Sequence, residues 1–233
     1  MHAAGAASAL VSHHIMTFAC GISIIAHRGL WTRPAERNSP AALDAALASG
    51  FGIETDVRDH AGCLVVSHDM PSGHEQPFAD LLARYVHHGQ PGPLALNIKA
   101  DGLADAVYDA CATRNVTAYF CFDMSVPDGR SYLARAMPLY GRRSELEPAS
   151  PFLDRCDGIW LDAFMNDWFT VDDILAWTTA GKQVCIVSPE LHGRPHHDVW
   201  SLLQILSCAH APDVCGRLAV CTDYPLQLQD ALS

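Results

Sequence analysis

The chain has 233 residues, of which 49% are apolar and 18% charged, with a formal net charge of −11. That apolar share is enough for a sizeable core and excludes a disordered chain, while the acidic balance excludes a nucleic-acid binder, which needs basic surface to neutralise phosphates. An anionic ligand would have to be held by local positive groups rather than by the surface as a whole.

Residues 1–20 read as an N-terminal extension, loose or helical, and residues 21–233 as one domain. The extension is apolar and rich in small residues, but no Lys or Arg precedes Arg28, and His13 and His14 interrupt it. It therefore fits neither a secretory signal nor the roughly 20 uninterrupted apolar residues of a membrane span, so no stable membrane insertion is expected. Met16 offers an alternative start. Strands are predicted at 22–26, 51–58, 94–99, 117–122, 138–141, 158–163, 183–188 and 217–223. Helices are predicted at 40–49, 78–89, 102–114, near 129–136, and at 171–181, 197–209 and 225–232. The first of these has Pro40 at its start and Gly50 just past its end, the ordinary start and stop signals. Alternation of this kind implies a parallel sheet with helical crossovers, and eight such strands imply a closed TIM (β/α)8 barrel. "LVVSHD" (64–69) is an additional strand after the second barrel strand, followed by the helix at 78–89. Nine cysteines, odd in number and without C-x-x-C spacing, sit mostly in apolar surroundings and read as free thiols of a cytoplasmic protein.

Active sites of such barrels lie at the C-terminal ends of the strands, so the polar residues there are the candidates. The first strand delivers His27 and Arg28, and the extra strand His68 and Asp69. Imidazole titrates near neutral pH, so His27 and His68 can serve as acid and base, with Asp69 placed to orient His68. Glu54 and Asp56 stand two apart in a strand and leave the same face. Two such carboxylates repel unless one is protonated or a cation lies between them, and oxygen donors of this kind suit Mg²⁺ or Ca²⁺. A half-exposed strand with alternating acids is the plainer explanation of the same pattern. Asn97 and Lys99 repeat the spacing on the next barrel strand, giving an amide oxygen as a third ligand and an ammonium group for a phosphate oxygen. After the seventh strand, "SPELHGR" concentrates Glu190, His192 and Arg194, either as substrate or metal contacts or as an ordinary polar loop. Trp31 and Trp160 read as core more readily than as pocket wall.

The ordered set "AHRG", "ERNSPAALDAALASGFGIETDV", "LVVSHD", "LNIK" and "VCTDYP", spanning residues 22–228, resembles the glycerophosphodiester phosphodiesterase family, within the group of phosphodiesterases similar to phosphatidylinositol-specific phospholipase C. The resemblance implies a TIM barrel, a divalent cation, and hydrolysis of a small phosphodiester to an alcohol and a phosphomonoester such as sn-glycerol 3-phosphate. It implies His27 and His68 as the catalytic pair, Arg28 and Lys99 as phosphate ligands, and Glu54 and Asp56 as metal ligands. In the family pattern a Glu stands two residues before the lysine, where this chain has Asn97. Arg37 is an insertion in the family's acidic-Asn segment. Two rival readings remain: a phospholipase D-like lyase that stops at a cyclic phosphate, and a barrel that binds a phosphoester without turnover.

Overall fold

The computed structural model describes residues 21–149, 152–209 and 212–233, so the expected N-terminal extension and Met16 lie outside the described residues. Its strands are β1 (Ser23–His27), β2 (Gly52–His60), β3 (Cys63–Val66), β4 (Leu94–Ile98), β5 (Tyr119–Phe122), β6 (Tyr140–Arg143), β7 (Gly158–Leu161), β8 (Gln183–Val187) and β9 (Leu218–Thr222). Its helices are α1 (Pro40–Ala48), α2 (Phe78–His87), α3 (Ala104–Thr113), α4 (Val126–Ala134), α5 (Val171–Thr179), α6 (His197–Ala209), α7 (Pro212–Cys215) and α8 (Pro225–Leu232). The parallel strands run in the order β5-β4-β2-β1-β9-β8-β7-β6, and a parallel bridge from Cys121 to Leu139 closes the ring. The fold is a TIM barrel with β3 attached antiparallel to β2 as the extra strand. No described helix is long and apolar enough to cross a membrane.

Alternation along the strands divides the interior in two. Ile24, Ala26, Ile53, Leu94, Leu96 and Ile159 face the helices. Ile25, Ala95, Phe120, Phe122, Trp160, Cys185, Val187, Ala219 and Cys221 fill the barrel itself. Phe120 stacks on Tyr140 at 3.7 Å between ring centroids, and Phe122 on Trp160 at 3.8 Å. Two residues further along the same inward rows stand His27, Asn97, Arg142, Asp162 and Asp223, with Glu54 and Asp56 on the inward row of β2. The aromatic layer is thus the floor of whatever these polar groups do.

Several boundaries differ from expectation. β3 stops at Val66 rather than 69: its last pair is Val66 with Val57, and His68 and Asp69 enter a turn in which Ser67 Oγ bonds Asp69 O. β6 lies at 140–143 rather than 138–141, because Arg142 and Arg143, which disguise a strand end, continue the pairing with β7. α4 starts at Val126 rather than near 129, since Ser125 caps it by accepting the Asp128 N–H. α7 has no counterpart among the predicted helices, and among the described residues the β6–β7 connection contains no helix. Cys63, Cys111, Cys121, Cys156, Cys185, Cys208 and Cys221 are free thiols.

The turn after β1 explains "HRG". Arg28 and Gly29 both adopt left-handed backbone, at φ 57° and 93°. A Cβ on Gly29 would lie 2.6 Å from the Ala42 carbonyl carbon, inside the backbone of α1. Gly29→Ala is therefore expected to cost about 2 kcal/mol of stability, from combined strain and overlap. Urea denaturation measures it, and a variant as stable as the parent would show that α1 can yield.

Candidate active site

The inward rows and the loops after them enclose a cleft of about 380 Å³ at the C-terminal mouth of the barrel. His27, Arg28, Glu54, His68, Asn97 and Lys99 line it on one side, and Asp123, Arg142, Trp160, Asp162 and His192 on the other. The expected catalytic pair, both expected phosphate ligands and His192 therefore converge on one cavity. Two of its lining residues, Arg28 and Asp123, are non-glycine residues in left-handed backbone, at φ 57° and 67°.

His27 is held by Asp223 from the end of β9, with Nδ1 at 2.6 Å from the carboxylate. A carboxylate accepts, so Nδ1 carries the proton and Nε2 is left with its lone pair toward the cleft, 3.8 Å from Glu54 Oε2. Asp223 is itself fixed. Arg37 donates to its other oxygen at 3.0 Å while lying 4.2 Å above the Trp31 ring, and the Asp223 N–H bonds Glu190 at 3.1 Å. Ser188 and Thr222 also donate to the Glu190 carboxylate. Glu190 is thus a buttress under Asp223 rather than a lining residue. Trp31 donates its indole N–H to the His27 carbonyl.

His68 sits differently. Its side chain is 48% exposed, and its Nδ1 lies 2.9 Å from the Asp69 carboxylate, which is 94% exposed. The pairing expected from sequence is present, but water competes for it. His68 lines both the central cleft and a neighbouring one of about 570 Å³ that also includes Arg28 and Arg37.

Asp56 is fully buried, with Arg28 Nε at 2.9 Å, Lys99 Nζ at 3.4 Å and the Asn38 amide donating at 2.8 Å. Asn38 is oriented in turn by the Thr55 hydroxyl. Burial first, and then the neighbouring Asp56 charge, push the Glu54 carboxyl up to about 7, with His27, Arg28 and Lys99 pulling the other way. Among the described residues, no trio of His, Cys, Asp or Glu is gathered for a metal. The third donor here is an amide. Glu54 Oε2, Asp56 Oδ1 and Asn97 Oδ1 are buried acceptors without a hydrogen-bond partner, on adjacent strands in which Asp56 stands opposite Asn97. Glu54 and Asn97 line the cavity and Asp56 is fully buried beside them, and three buried oxygens without hydrogen bonds fit a hard cation.

The far wall was not legible as a unit. Arg142 clasps Asp123 and bonds Asp162 at 2.9 Å, and His192 bonds the other Asp162 oxygen at 2.6 Å. Trp160 is both core and wall, donating to Asp162 at 3.2 Å. Arg194 is turned away from the cleft, tying Ala163 O and Asp167 together. Burial pushes the floor thiols Cys185 and Cys221 well up, which removes them as nucleophiles.

The fold and mouth define an α/β barrel whose cleft gathers Arg28 and Lys99 beside His27 and His68. No family model and no curated protein matches the chain. Solved structures do. A candidate glycerophosphodiester phosphodiesterase from Galdieria sulphuraria superposes with a TM-score of 0.70 at 14% identity, over 91% of this chain and 97% of that one. The glycerophosphodiester phosphodiesterase of Agrobacterium tumefaciens gives 0.63 at 18%, over 90% and 98%. An Oleispira antarctica phosphodiesterase in complex with its product sn-glycerol-3-phosphate gives 0.59 at 17%, over 90% and 96%. At such identities the likeness establishes the shared barrel.

Proposed function

We propose that the chain is a cation-dependent phosphodiesterase that hydrolyses a glycerophosphodiester to sn-glycerol 3-phosphate and an alcohol. The observation that carries this reading is His27, oriented by Asp223, sharing one cleft with Arg28, Lys99, Glu54 and Asn97, with the buried Asp56 beside them. The resemblance in fold to phosphodiesterases, one of them holding sn-glycerol-3-phosphate, supports it.

Arg28 and Lys99 bind the non-bridging oxygens of the diester. His27 Nε2 takes a proton from the nucleophile, a neighbouring substrate hydroxyl or water, and Asp223 steadies the imidazolium that results. His68, open to solvent, gives a proton to the departing alkoxide. If a substrate hydroxyl attacks first, a cyclic phosphate forms and water then opens it. Glu54, Asp56 and Asn97 would hold Mg²⁺ or Ca²⁺, which supplies positive charge against the phosphoryl oxygens. That charge is needed, since with Glu54 ionised Arg28 and Lys99 together only balance Glu54 and Asp56.

The test is an assay of glycerophosphodiesters with Mg²⁺ or Ca²⁺ and then with chelator. Turnover to a phosphomonoester, lost at least about 100-fold on chelation, is expected. A cyclic phosphate that accumulates and is never opened would favour the lyase. Tight phosphoester binding without turnover under either cation would favour the non-catalytic barrel.

A further inference from the structure

We propose that the site takes up its divalent cation and a phosphate ester as a linked pair, with Asp56 as the residue through which each controls the other. This rests on the phosphodiesterase reading above. Asp56 carries too many obligations to serve a cation unaided. Its Oδ2 faces Arg28 Nε at 2.9 Å and accepts from Asn38 at 2.8 Å, and its Oδ1, the oxygen left for a cation, has Lys99 Nζ at 3.4 Å. A cation at Glu54 Oε2, Asp56 Oδ1 and Asn97 Oδ1 must share that carboxylate with a guanidinium and an ammonium.

The local charge makes the same point. Once Glu54 is ionised, Glu54 and Asp56 bring two negative charges, Arg28 and Lys99 two positive ones, and Asn97 none. A divalent cation entering alone gains from the carboxylates about what it loses to the two side-chain cations, at carboxylates that are themselves buried. A phosphate ester alters both sides of that balance. Its oxygens accept from Arg28 and Lys99 and draw them off Asp56. Its own charge then stands beside the cation, as a further hard oxygen donor of the kind Mg²⁺ and Ca²⁺ prefer. The reverse holds as well: without the cation, an incoming phosphate meets Glu54 in the cavity, with Asp56 buried beside it. Such coupling is reciprocal by thermodynamic necessity, so one factor describes both directions. The residue that makes the coupling large is Asn97. A carboxylate there would add the missing charge and let the cation bind by itself.

Isothermal titration of the full chain with Mg²⁺ or Ca²⁺, in the presence and absence of saturating sn-glycerol 3-phosphate, tests the linkage. The ester is expected to tighten the cation at least tenfold, and the cation to tighten the ester by the same factor. Asn97→Glu should lower the dissociation constant of the cation alone about tenfold and shrink the coupling. If both ligands bind but neither alters the other, the linkage is overturned and the phosphodiesterase reading stands. If the ester fails to bind even at saturating cation, both are overturned. Should Asn97→Glu not fold, the parent protein's titrations alone separate these outcomes.

Discussion

Replacing His27 by Ala lowers kcat by at least about 100-fold, the least that a positioned general base contributes. The expectation rests on the 2.6 Å bond from Nδ1 to Asp223, which fixes the tautomer and leaves Nε2 as the acceptor. Asp223→Asn should therefore act through His27. An amide in place of the carboxylate can bond either tautomer, forfeits the ion pair with Arg37, and no longer steadies the imidazolium. Its signature is a fall in kcat of about tenfold or more with KM little changed, because Asp223 stabilises a charge that exists only once the proton has moved. The division of labour between the two histidines can be read from the leaving group. An alcohol of low pKa departs without help, so the deficit of His68→Ala should shrink when a p-nitrophenyl diester replaces a glycerophosphodiester. The deficit of His27→Ala should persist. A His27→Ala enzyme within threefold of the parent on both substrates would remove His27 from the reaction.

The part of this site that was legible in the sequence is the part that local chemistry dictates. His27 and Arg28 end an apolar strand, and Glu54 and Asp56 are two apart within one, so period-two alternation alone sends them the same way. The barrel followed from the alternation of eight strands with helices. What escaped was anything decided by distance in the chain. Asp223 was visible as the end of the last strand and within "VCTDYP" but without a partner, because its pairing with His27 spans 196 residues and is created by ring closure. Glu190 read equally as a substrate or metal contact and as part of an ordinary polar loop, because it sits in a loop over the mouth. Only the neighbouring Thr222 and Asp223 at the end of β9 reveal it as a support. Arg142 was hidden by a strand placed two residues too early, since a pair of arginines argues against a strand in any local reading. Arg37 registered as an insertion, and its use, bonding Asp223 from above Trp31, needs three separate segments to meet. The orphaned amide of Asn97 is informative only beside the orphaned oxygens of Glu54 and Asp56.

The same buried carboxylates make the protein's stability depend on pH in an unusual direction when no cation is present. Most acids in proteins are paired and favour the ionised native state, so acid weakens the fold. Glu54 is the opposite case. Its carboxyl ordinarily titrates near 4.5 and is pushed up to about 7 in the folded chain, by burial first and by the Asp56 charge second. Between those values the native state holds a proton that the unfolded state has released. Stability from this group is therefore fully present below about pH 4.5, falls as pH rises toward 7, and is flat above that, a total change on the order of 3 kcal/mol. Chemical denaturation in chelator at pH 5, 6, 7 and 8 reads the slope, and Glu54→Gln isolates it. The amide keeps the shape but cannot ionise, so the variant should gain on the parent as pH rises and be the more stable of the two at pH 8. Parallel curves for the two proteins would mean that Glu54 is solvated as ordinary carboxylates are. The inverted slope follows from the site's construction: an acid buried where only a cation or a proton can satisfy it weakens the empty fold at neutral pH, and what binds there recovers the difference.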